Sequence, residues 1–179
     1  MRNLTKMLIG WALLCAVNVS VAFNPDASDE DQLAAAKAII AIKKADPEIQ
    51  KFFDNSVGYA VFPSVGKAGI GIGGARGSGL VIVNDKVVGK TMLTQLTVGL
   101  QLGAQVYSEF IFFKDDIALG QFKRGNFELG AQASAVAATI GASTDVDYDG
   151  GVAIFTNTSG GLMYEASVGG QKFKFEPVH

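Results

Sequence analysis

Histidine and cysteine are almost absent: His179, the last residue, is the only histidine, and Cys15 is the only cysteine. With the one histidine at the last position and the one cysteine in an N-terminal segment laid out as a cleaved signal, no Ser-His-Asp or Cys-His set is expected in the mature chain. A His-ligated zinc or iron site is excluded for the same reason. Charge of one sign is also lacking. With 15 basic and 17 acidic side chains, the chain has no basic surplus of the kind that nucleic-acid binding requires. Nor is there an apolar run of full membrane-spanning length. The longest, Met7–Ala22, is interrupted by Gly10, Asn18 and Ser20 and falls short of the roughly 20 residues a helical span needs.

That run follows Arg2 and Lys6 and ends in Ser20-Val21-Ala22, the layout of a secretory signal peptide over residues 1–22. A retained N-terminal anchor is the alternative. Cleavage after Ala22 removes Cys15, Arg2 and Lys6, so residues 23–179 form one exported domain without disulfides and with a net charge of −4, from 13 basic and 17 acidic groups. Such a domain is held by its core alone, and its length suffices for one core. Its expected location is the periplasm or the outside of the cell, peripheral to a membrane.

What the chain does have is glycine, 22 residues of it, concentrated between Gly58 and Gly79. Gly69-Ile-Gly-Ile-Gly-Gly74 satisfies G-x-G-x-x-G. A dinucleotide fingerprint, however, needs its glycines to turn a strand into a helix, and here they run on into the strand-like Leu80-Val-Ile-Val83. Gly89-Lys-Thr91 imitates the end of a phosphate-binding loop, yet position 84, where the first glycine belongs, is Asn84, and strand rather than helix follows. Neither motif supports a nucleotide site. The glycines are instead read as places where backbone or a large side chain approaches closely.

Periodicity gives helices first and strands after. Ser28 is the expected N-cap of a helix with Leu33, Ala36, Ile39, Ile40 and Ile42 on its apolar face and Lys43 and Lys44 at its end. Asp46-Pro47 starts a second, short helix carrying Ile49, Phe52 and Phe53. From Gly58 the period becomes two: Tyr59–Phe62, stopped by Pro63; Ala68–Arg76; Leu80–Val83 and Lys86–Val88 around an Asn84-Asp85 turn; and Met92–Phe113. In the last of these an apolar face (Leu96, Val98, Leu100, Leu102, Val106) alternates with a Gln/Thr/Gly face (Gln95, Thr97, Gly99, Gln101, Gln105). Phe110, Phe112 and Phe113 are expected in the core. Asp115 caps a short helix that ends at Gly125. Strands are expected over Phe127–Ala142, in a hairpin of Val152–Thr156 with Leu162–Val168, and over Lys172–Phe175.

Asp145-Val-Asp-Tyr-Asp149-Gly150 matches the first half of a calcium loop, but Thr156 stands where the closing Glu is needed. The motif is read as an acidic turn between strands. The chain is therefore expected to be non-catalytic and to carry no cofactor and no metal.

Five segments taken together resemble the SYLF domain family, also described as a lipid-binding and actin-binding domain. They are Gly58-Tyr-Ala-Val-Phe-Pro-Ser-Val-Gly-Lys-Ala-Gly69, Gly71-Ile-Gly-Gly-Ala-Arg-Gly-Ser-Gly79, Leu93-Thr-Gln-Leu-Thr-Val-Gly-Leu-Gln-Leu-Gly-Ala-Gln105, Tyr107-Ser-Glu109, and Gly161-Leu-Met-Tyr-Glu-Ala-Ser-Val-Gly-Gly-Gln-Lys-Phe173. The resemblance covers almost all of residues 23–179 in order. It implies a module that binds anionic phospholipid at a membrane surface through an N-terminal amphipathic helix and basic residues. Lys37, Lys43, Lys44, Lys51, Lys67 and Arg76 are the candidates here. Relatives joined to other domains bind phosphoinositides or actin. This chain resembles the stand-alone exported form, with a protein partner in the envelope as the alternative to lipid. The expected fold is α+β, with the amphipathic helices packed on a strongly bent, mainly antiparallel sheet like a barrel or sandwich.

Overall fold

The structure, a computed structural model, describes residues 23–125, 127–129, 147–158, 161–163 and 170–178. The proposed signal segment, most of the Phe127–Ala142 strand, Asp145 and the later part of Leu162–Val168 lie outside the described residues.

The architecture is α+β. Helix α1 (Glu30–Ala45), a 3₁₀ turn (Pro47–Ile49) and α2 (Gln50–Asn55) precede β1 (Gly58–Val83) and β2 (Lys86–Phe113). Then come α3 (Asp116–Lys123), β3 (Phe127–Leu129), β4 (Val152–Thr158), β5 (Gly161–Met163) and β6 (Gln171–Pro177). All pairings in the six-stranded sheet are antiparallel.

The N-cap of α1 is Asp29, not Ser28. Its carboxylate accepts from the backbone N–H of Asp31 and Gln32, while Ser28 caps nothing and bonds back to Asp26. An ionised cap at the positive helix end is the stronger acceptor. The buried face is Ala35, Ala38, Ile39 and Ile42; Ile40 lies outside it and is 68% exposed. The apolar arc is thus narrower than the run of aliphatic residues suggests.

Tyr59–Phe62, Ala68–Arg76 and Leu80–Val83 are parts of one strand, and Lys86–Val88 and Met92–Phe113 parts of its partner. Pro63 does not end the strand. It sits in a register shift between Phe62 and Val65, where a residue without an N–H costs no ladder bond. Asn84 and Asp85 both have positive φ (49° and 60°), as the tight turn between twisted strands demands. Asp115 accepts from Ala118 N–H to cap α3, and Gly125 follows at φ 78°.

The two long strands bend together, with a second register shift between Ile70 and Ile72. The first third of β1 thereby comes to lie against its last third. A Cβ on Gly79 would run into the Val61 carbonyl and lie 2.7 Å from Phe62 Cδ1; one on Gly77 would lie 2.9 Å from the Ser64 carbonyl. Among the described residues no hydrogen-bonded ladder joins these stretches, so the described sheet is strongly bent but not closed into a barrel.

β6 pairs with β2 at Gly89–Gln95, next to the turn, and β4 pairs with β2 at Tyr107–Phe113, next to the open end. One face of the bent sheet carries Tyr59, Val61, Leu80, Ile82, Phe110, Phe112 and Phe155 against α1 and α2. Phe112 is central there, with ring centroids 5.6 Å from Phe52 and 4.8 Å from Phe53. The other face turns inward. Phe62, Leu93, Ile111, Phe113 and Phe173 gather around Phe122 of α3. Phe110, Phe112 and Phe113 are all fully buried, as expected of core residues.

Candidate functional site

Strand pairing decides which charges share a surface. On β2, Lys90, Met92 and Thr94 lie opposite Leu80, Ser78 and Arg76 of β1 and opposite Glu176, Lys174 and Lys172 of β6. Directly paired residues point to the same side. Arg76, Lys90, Lys172 and Lys174 therefore share one outer face, all exposed, with Glu176 and with Asp31 of α1 at its margin. A groove of about 910 Å³ runs between this face and the start of α1, lined by Asp31, Arg76, Ser78, Lys90, Met92 and Lys174 among others.

Lys90 Nζ is 2.8 Å from Asp31 Oδ2, and this hydrogen bond holds the lysine above its ordinary pKa. Arg76 Nη2 touches Met92 Sδ at 3.2 Å. Among the described residues neither Arg76 nor Lys174 has a carboxylate partner, so both cations remain available to an anion.

The other expected site residues are dispersed. Lys37 and Lys44 are exposed on α1 and, with Ile40 between them at helical spacing, form a stripe pointing away from the core. Lys43 is half-buried with Nζ 4.2 Å from the Phe53 ring centre, and burial lowers its pKa. Lys51 Nζ lies 5.1 Å from the Phe52 ring centre. Lys67 is half-buried beside Glu109, again with burial lowering its pKa. Of the six, only Arg76 lines the groove. Lys90 and Lys174 are not among the candidates taken from the sequence, and Lys172 is not one of the six. The alternation of Gln171-Lys-Phe-Lys-Phe175 was a signal for a cationic strand face, but only the register shows that Arg76 and Lys90 join it.

The concave side holds a second polar group. Glu109 is buried between the two halves of the sheet, and its Oε2 accepts from Gln171 Nε2 at 3.1 Å. Burial pushes the carboxyl up to about 8; the Gln171 bond and the Lys67 charge oppose this only in part. Among the described residues, Glu109 Oε1 and Gln171 Oε1 have no hydrogen-bond partner. A proton on the carboxyl would serve as a donor where two acceptors now stand unmatched. Nearby, Tyr107 donates to Gln95 Oε1 at 3.3 Å. Asp147 and Asp149 are exposed in the turn before β4, where Gly150 and Gly151 take positive φ. No cluster of three or more potential metal ligands occurs among the described residues.

Residues 94–177 match the family model described as Ysc84, Las17-binding protein actin regulator. The matched region takes in most of β2 and everything through β6, so it includes Lys172, Lys174 and Glu109. The chain is also similar to Beta cell expansion factor A of Aeromonas veronii, at 28% identity over 169 residues, which is 91% of this chain. It spans 64% of that relative's length. The resemblance read from the glycine-rich and Gln/Gly segments agrees with these two comparisons: residues 94–177 are similar to the Ysc84, or SYLF, family.

Proposed function

We propose that this protein is an exported, non-catalytic module that binds anionic phospholipid at a membrane surface of the cell envelope, after removal of residues 1–22. The observation that carries this reading is the outer face on which Arg76, Lys90, Lys172 and Lys174 meet from three strands. Each cation near a negatively charged surface contributes about 1 kcal/mol, so a few together hold a domain of net negative charge to such a surface. The exposed Lys37 and Lys44 stripe of α1 extends the cationic area. A lipid-binding family supports the reading at the level of function class.

The test is co-sedimentation of the protein, as exported and processed, with phosphatidylglycerol-containing vesicles and with phosphatidylcholine vesicles. Binding is expected to the first, weakly or not at all to the second, and to fall as salt rises. Absence of binding to both would end the proposal. The family description, an actin regulator that binds another protein, favours a second reading: a protein-interaction module of the envelope. Retention of a specific partner in detergent, with no lipid present, would select it.

A further inference from the structure

At the bend of the β1–β2 hairpin the usual polarity of a sheet is reversed. Gln95 and Thr97 are buried on the concave side, at 2% and 0% exposure, in line with Tyr107 and Glu109. Leu96, between them, is 64% exposed. Ile72 on the neighbouring strand is 65% exposed, and Val106 further along β2 is 62% exposed. Leu96 thus stands outward between polar side chains that stand inward, and Ile72 and Val106 stand outward as well. Apolar-out, polar-in alternation suits a strand whose outer surroundings are hydrocarbon.

Two further features belong to the same surface. A Cβ added at Gly66, opposite Val106, would meet nothing within 4 Å; one at Gly74, opposite Leu96, would meet only the Gln95 carbonyl, at 3.5 Å. Unlike Gly77 and Gly79, these glycines are not required by internal packing, and they leave the aliphatic side chains standing proud of a bare backbone. The apolar bend is also continuous with the cationic face. Thr94 separates Leu96 from Met92 along β2, and Arg76 and Lys172 flank Thr94 on its two sides. An apolar edge bordered by cations is the arrangement of an interfacial membrane contact, with hydrocarbon below and anionic headgroups above.

We propose that the bend of the hairpin, through Ile72, Leu96 and Val106, enters the acyl-chain region of an anionic bilayer while Arg76, Lys172 and Lys174 hold its headgroups. This rests on the membrane reading above and assigns the penetrating element to the sheet rather than to α1.

The chain's one tryptophan, Trp11, lies within residues 1–22, so the processed protein gives a silent background for reporters at chosen sites. With Leu96→Trp, phosphatidylglycerol vesicles should shift the emission to the blue, and lipids brominated in the acyl chains should quench it. With Ile117→Trp on α3, also highly exposed, neither change should occur. Ile72→Asn and Leu96→Asn, at positions open enough to keep the fold, should each weaken vesicle binding several-fold with unchanged thermal melts. Binding without quenching at 96 would overturn the insertion and leave the membrane reading intact; no binding of the wild type would overturn both. A blue-shifted emission at 96 before any vesicle is added, with a dimer in sedimentation velocity, would mean that a second copy covers the bend.

Discussion

The two ends of one hairpin have different surroundings. At the open end, Gly58–Phe62 and Phe110–Phe113 are buried on both faces, by α1 and α2 on one side and by the inward cluster around α3 on the other. At the turn end, Arg76–Ser78 and Lys90–Gln95 are buried on the concave face only, and their other face carries cations. The same strand pair is core at the open end and again at Leu80–Ile82, and surface on its outer side around Arg76–Ser78. The difference teaches that helix coverage, rather than strand identity, assigns the outer face its role. α1 and its cluster cover Leu80, Ile82 and Val87 beside the turn, and the groove opens past them toward Arg76 and Met92.

The contrast can be broken most forcefully at the glycines. Gly79→Val puts two methyl groups where the Val61 carbonyl and the Phe62 ring already stand. It should cost more than about 3 kcal/mol and prevent folding at ordinary temperatures. Gly74→Val, in open space on the same strand, should leave the melting temperature nearly unchanged. If both variants melt alike, the close approach within β1 is wrong.

At the open end, Phe112→Ala removes the ring shared by Phe52, Phe53, Tyr59 and Phe155 and should cost about 3–5 kcal/mol in denaturant unfolding. Thr94→Ala on the exposed face of the turn end should change stability by less than about 0.5 kcal/mol.

Glu109 joins the two ends across the concave side, and its titration sharpens the comparison. Its carboxyl is pushed from 4.5 to about 8 in the fold. Between those values the native state binds the proton and the unfolded chain does not, so stability should fall as pH rises. The penalty is absent below about pH 4.5 and complete above about pH 8, with a total on the order of a few kcal/mol. Glu109→Gln, which is uncharged and can donate toward Gln171, should flatten melting temperature against pH over this range. A wild-type profile that rises with pH there would contradict the burial of the acid.

The smallest effect on stability is expected at the cationic face. Lys172→Ala and Lys174→Ala should each weaken binding to anionic vesicles roughly fivefold, near 1 kcal/mol per cation, with no change in the melts. Loss of stability without loss of binding would make these side chains structural instead.

Local chemistry made much of the fold legible. Asn84-Asp85 had to turn because small polar residues tolerate positive φ; Asp115 and Gly125 had to bound a helix; the phenylalanines of Phe110–Phe113 had to be interior. The glycine-rich fingerprint lies inside β1, which runs through it without turning into a helix, as its strand-like flank implies. The site was less legible. That Arg76 shares a face with Lys90, Lys172 and Lys174 is not legible in the sequence, because they join it only through the register of three strands far apart in sequence.

The sequence by itself determined the alternation of β2 and the residues that share each of its faces, because side chains on a strand point to opposite sides in turn. It did not determine which face would be inside. At the open end the apolar face is covered by helices. At the bend Gln95 and Thr97 turn inward, on the side of Glu109 and Gln171, and Leu96 turns out, while Gln105 of the same face is exposed. Only the bending of the hairpin and the limited reach of α1 decided that, because burial depends on what packs against a face and not on its composition alone.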